Sequence, residues 1–149
     1  MKNLCSLFLI SSLLFICCNT SPYGKKITVN NHIEVYIKSG ATEAEAKNLG
    51  NYIDSTWKTS GNKKSFQLSK DSGQYIIRMV VDENKIKKDS SLDVSFMAIQ
   101  FLIEEQVFNG SKVKLILTDN SFKDIKTFES SHSTSNKDDK NKSDSANTK

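Results

Sequence analysis

Residues 66–81 read FQLSKDSGQYIIRMVV, and this stretch decides the fold. Phe66 and Leu68 mark one strand. Asp71-Ser72-Gly73 follows, and glycine beside short polar residues accepts the backbone angles of a tight turn. Tyr75 to Val81 is then a run of β-branched, aromatic and other apolar residues broken only by Arg78, the strongest strand signal in the chain.

Upstream, Ile33, Val35 and Ile37 alternate with His32, Glu34, Tyr36 and Lys38, which predicts a strand with one buried face. Ile27 and Val29 suggest an earlier short strand turning at Asn30-Asn31. Thr42-Glu43-Ala44-Glu45 is a capping box. Ala46, Leu49, Ile53 and Trp57 recur at helical spacing after it, and Gly61 stops the helix. Downstream, Ser90 or Ser91 caps a second helix carrying Leu92, Phe96, Ile99, Leu102, Ile103 and Val107, ended by Gly110. Val113, Leu115 and Leu117 form the next strand. Asp119-Asn120-Ser121 turns the chain into a final edge strand from Phe122 to Phe128.

The fold expected is α+β, a two-layer sandwich with two helices on one face of a small, mainly antiparallel sheet. Its element order is βαββαβ plus a terminal edge strand. The single proline, Pro22, lies outside the domain and interrupts no element.

Residues 1–18 have the form of a lipoprotein-type signal peptide. Lys2 gives a positive start, and an apolar run extends from Leu4 to Ile16 and ends in Cys17-Cys18. That run is shorter than the roughly 20 residues a membrane span needs. Cleavage before a lipidated cysteine favours a small preceding side chain. Cys18 follows Cys17, whereas Cys17 follows the bulky Ile16, so Cys18 is the expected lipidation residue and Cys17 the alternative. Conventional cleavage would instead release a secreted protein.

Residues 19–26 read as a tether, 27–128 as the α+β domain, and 129–149 as a disordered polar tail with one alanine and no larger apolar side chain. The tether lacks an acidic cluster, which favours a periplasm-facing location in the bacterial envelope. All three cysteines lie in the leader, so the domain offers no disulfide, cysteine nucleophile or thiolate metal site. From Lys25 to Phe128 there are 16 basic and 13 acidic residues, an excess of +3. That mild, dispersed charge argues against a nucleic-acid footprint.

Thr42, Glu45, Ala46, Leu49, Gly50 and Tyr52, then Gln67-Leu68, Lys70, Gly73, Tyr75 and Arg78 to Val81, form a recognisable set. Val107 to Gly110 and Val113, Leu115, Leu117, Asp119 and Lys123 continue it. From about Ile33 to Lys126 the chain resembles a small bacterial βαββαβ module of exported and membrane-anchored proteins. The resemblance implies a fold and an envelope setting. It carries no catalytic residue, and Asp82 to Asp89 fit its pattern poorly.

The chain offers little catalytic chemistry. His32 is expected on an outward strand face and His132 lies in the tail; no zinc-ligand spacing, serine elbow, P-loop or dinucleotide fingerprint occurs. Glu104 and Glu105 are adjacent on a helix and point about 100° apart. Lys85, Lys87 and Lys88 form a small basic cluster in the loop before the second helix, offset by Asp82, Glu83 and Asp89. The expectation is a non-enzyme that needs no metal or other cofactor.

The outer sheet face remains. It should present Tyr36, Ile76, Arg78, Val80, Lys114 and Ile116, with Glu34 bridging Arg78 and Lys114 if the first strand lies between the third and fourth. Such a face suits an envelope protein partner or a homo-oligomer, and the edge strand could accept a peptide strand. The function expected is a lipid-anchored, non-catalytic interaction or self-association module. The alternative is a small secreted ligand-binding domain or hydrolase.

Overall fold

The computed structural model describes residues 21–57 and 63–130. The leader with Cys17 and Cys18, the helix stop at Gly61 and the tail from residue 131 lie outside the described residues. Nine elements follow in order: β1 (Lys25–Val29), β2 (Ile33–Ile37), α1 (Glu43–Trp57), β3 (Lys64–Asp71), β4 (Gln74–Val80), α2 (Glu83–Lys88), α3 (Leu92–Val107), β5 (Val113–Thr118) and β6 (Asp124–Glu129).

The expected architecture is corrected by this arrangement. The described residues build a six-stranded mixed sheet with three helices, and strand order follows chain order from β1 to β6. β1–β2, β3–β4 and β5–β6 are antiparallel hairpins, whereas β2–β3 and β4–β5 are parallel. The cause is local. Asn30 and Asn31 both adopt positive φ, 47° and 64°, which asparagine tolerates, so the Ile27–Val29 segment folds back as a full strand. A helix between β2 and β3, and helices between β4 and β5, carry the chain back to the starting end, so each next strand runs parallel.

The third helix, α2, occupies the segment expected to be a loop. Asp82 is its N-cap and accepts from the Asn84 N–H at 3.0 Å. Lys85, Lys87 and Lys88 lie in its last turn, where the helix dipole favours positive charge.

α1 begins with a formed capping box. The Glu45 N–H donates to Thr42 Oγ1 at 3.2 Å, and Glu45 Oε2 accepts from the Thr42 N–H at 2.7 Å. The helix buries Ala46, Leu49, Gly50 and Ile53. Gly50 is needed for close approach to β1, because a Cβ there would lie 2.7 Å from Val29 Cγ2.

α1 and α3 share one face of the sheet, and one core joins Ile33, Val35, Phe66, Leu68, Ile77, Leu115 and Leu117 to Leu49, Ile53 and Ile103. β2 and β4 run in opposite directions, yet both crossovers step the same way along the sheet over that face. They therefore have opposite hands, and one belongs to the rare left-handed class.

Candidate interaction surfaces

Strand alternation sends Lys26, Glu34, Tyr36, Gln67, Arg78, Lys114 and Ile116 to the face away from the helices. The expected bridge from Glu34 to Arg78 and Lys114 does not form, because β2 pairs with β1 and β3. Glu34 instead accepts from Lys26 Nζ at 3.3 Å, Lys63 Nζ at 3.5 Å and the Tyr36 hydroxyl at 3.2 Å. Burial opposes its charge, but Lys26, Tyr36 and Lys63 hold its carboxyl below the ordinary range. Burial, and then the Glu34 carboxylate, push the Tyr36 phenol up. Arg78 Nε donates to Asp124 Oδ1 at 2.8 Å, and Lys114 Nζ pairs with Glu129 Oε1 at 2.7 Å.

The middle of this face is roofed. Phe122, in the turn before β6, crosses β3 and β4 to bring its ring within 5.4 Å of Tyr36 and 5.5 Å of Tyr23. The Tyr23 ring lies 6.1 Å from Tyr36, nearly edge-on. Gln67 Nε2 donates to the Tyr23 carbonyl at 3.0 Å, and Lys38 Nζ donates to the Pro22 carbonyl at 3.0 Å. Ser21 to Gly24, read as tether from sequence, is thus folded onto the sheet. Of the six residues expected to form a docking surface, Ile116 is buried, and Tyr36, Ile76, Arg78, Val80 and Lys114 are half-buried.

On the helix side, polar contacts at three places secure the layers. The Tyr75 hydroxyl donates to Glu45 Oε1 at 2.6 Å, with Lys70 Nζ 2.8 Å from that hydroxyl. His32, expected to be exposed, sits in the β1–β2 turn with Nε2 2.6 Å from Asp54 Oδ1 on α1. Asn30 and then His32 hold the Asp54 carboxyl below its usual range. On α3, Gln100 Nε2 donates to the Val113 carbonyl at 2.7 Å and Glu104 Oε2 accepts the Val113 N–H at 3.2 Å. Both backbone groups at the start of β5 are therefore held by side chains one helical turn apart.

α3 also carries the surface that periodicity missed. Val94, Met97, Phe101 and Leu102 are 72%, 53%, 56% and 42% exposed. Spacings of three and four residues bring Val94, Met97 and Phe101 onto one side, with Leu102 beside them. Leu102 was expected on the buried face. The available signal was the composition of LDVSFMAIQFLIEEQV: a helix apolar nearly all round needs more cover than one sheet supplies.

A cleft of 340 Å³ lies between the helices at one end of the sheet, with Trp57, Phe66, Met79, Phe96 and Ile99 in its walls and Lys64, Asp82 and Lys85 also lining it. Among the described residues, no three His, Cys, Asp or Glu side chains are grouped to hold a metal ion, and no helix is long and apolar enough to cross a membrane.

No curated protein and no solved structure matches the chain. A family match does exist, and it runs from Lys26 in β1 to just past the end of β6. Through residues 26–130 the chain belongs to the AF_1994_N family, whose description is a family N-terminal domain.

Proposed function

We propose that this protein is a lipid-anchored, periplasm-facing component of a bacterial envelope, and that its domain is a non-catalytic module that self-associates through α3. The observation that carries the docking surface is the set Val94, Met97, Phe101 and Leu102 on one exposed helix. Single exposed apolar residues are ordinary, but a contiguous group marks a contact surface. The occupant proposed is a second copy in antiparallel crossing. Antiparallel crossing sets the opposite poles of the two α3 helices against one another.

The test is sedimentation equilibrium of the full chain and of Met97→Asp and Phe101→Asp, with urea unfolding of each. The proposal expects an associating wild type whose unfolding midpoint rises with concentration, and dissociated variants that still unfold cooperatively at the midpoint of dilute wild type. A monomeric wild type at every concentration overturns it.

A further inference from the structure

We infer that the open sheet face, roofed by Ser21 to Gly24, is the side of this domain held against an anionic lipid surface. This rests on the reading of Cys18 as the lipid-attachment residue. Three residue steps separate Cys18 from Ser21, a reach of at most about 11 Å. A longer free tether would let the domain tumble. Here the leash ends at Ser21, because Pro22 is held by Lys38, and Tyr23 by Gln67, Tyr36 and Phe122.

The chemistry of the face suits that neighbour. Tyr23 is 37% exposed, and an aromatic ring with a polar tip is at home among headgroups. Around it stand Lys26, Lys38 and Lys63, all exposed, and the acidic Glu34 between them is largely buried. Anionic headgroups around Tyr23 would therefore meet ammonium groups first, while the exposed Asp124 and Glu129 of the same face are paired with Arg78 and Lys114. The helix layer lies on the other side of the sheet, so α3 would face away from the membrane.

The experiment uses the full chain recovered from membranes and reconstituted in phosphatidylglycerol–phosphatidylethanolamine vesicles. Cysteine is introduced at exposed Thr28 on the open face of β1, or at exposed Asn48 on α1, and carries a fluorophore. Quenching by lipids spin-labelled at the headgroup is read beside intact mass. The expected result is acylated protein with quenching several-fold stronger at Thr28→Cys than at Asn48→Cys. A ten-residue glycine–serine insertion after Asn19 should shrink that difference. Acylated protein with equal or reversed quenching overturns the orientation and leaves the anchor standing. Protein without acyl mass overturns the anchor and the orientation together.

Discussion

The Tyr75 hydroxyl donates to the Glu45 carboxylate at 2.6 Å, joining central strand β4 to the first turn of α1. Burial works against the Glu45 charge. The bonds from Tyr75, Thr42 and Lys70 more than offset it and bring the carboxyl down to about 2. A carboxyl depressed on folding contributes stability above its unfolded value, and that contribution is lost as pH falls through the folded one. The stabilisation should therefore be complete above about pH 4.5 and fade toward pH 2. Tyr75→Phe should cost about 1.5–3 kcal/mol at neutral pH, the usual range for a hydrogen bond to a charged group. Urea unfolding at pH 7 and pH 3 checks this: the deficit should shrink in acid, and an equal deficit at both would refute the assignment.

Gly50→Ala should destabilise the protein, although alanine is the better helix former by about 1 kcal/mol. The added methyl meets Val29 Cγ2 at 2.7 Å and Val29 Cβ at 3.2 Å, and overpacking of this kind costs about 1–3 kcal/mol. Val29→Ala made in the same chain should recover part of the loss. Thermal melts of the single and double variants decide it, and a Gly50→Ala variant that melts higher than wild type would show that β1 yields.

Gln100 and Glu104 act on the two backbone groups of one residue, Val113. Each change to alanine should cost about 1–3 kcal/mol, because it strips a buried backbone group of its partner. Effects of contacting residues seldom add. A double-mutant cycle measured by denaturant unfolding should show a coupling energy of at least about 0.5 kcal/mol; simple additivity would mean that β5 starts independently of α3.

Phe122 roofs the open face from a backbone with φ of 59°, which a bulky residue rarely adopts. Phe122→Ala removes its contacts with Tyr23 and Tyr36, each worth about 0.5–1.5 kcal/mol beyond burial. Amide exchange at Gly24, whose N–H donates to the Ser21 carbonyl at 2.8 Å, should then rise sharply while exchange in β4 stays slow. Unaltered exchange at Gly24 would mean that Gln67 and Lys38 hold the segment unaided.

Much of the local structure was legible, because its causes are local. The Thr42–Glu45 box fixes where α1 starts, and alternation in Tyr75 to Val81 settles which side chains of β4 face the helices. What was hidden depends on neighbours far along the chain. Alternation cannot say which strands pair, so Glu34 was assigned to Arg78 and Lys114 when its partners are Lys26, Lys63 and Tyr36. Arg78 finds Asp124, 46 residues away. Five of the six positions of α2 are charged or polar, and Ile86 alone gave no apolar periodicity to read, only the cap at Asp82. In α3 the difficulty was the reverse: too many apolar positions to tell the covered side from the open one, which is how Leu102 was placed in the core.

The order of strands in the sheet has a kinetic consequence. Each strand hydrogen-bonds only to the strands just before and just after it in the chain, so a typical native contact closes a modest loop. Chains of that kind fold faster than those whose strands must find distant partners. The β3–β4 hairpin, with its short turn at Ser72-Gly73, can form early, and the sheet can grow outward from it in both directions. A polypeptide emerging gradually, amino end first, would never need to hold an orphan strand open for a partner that arrives much later.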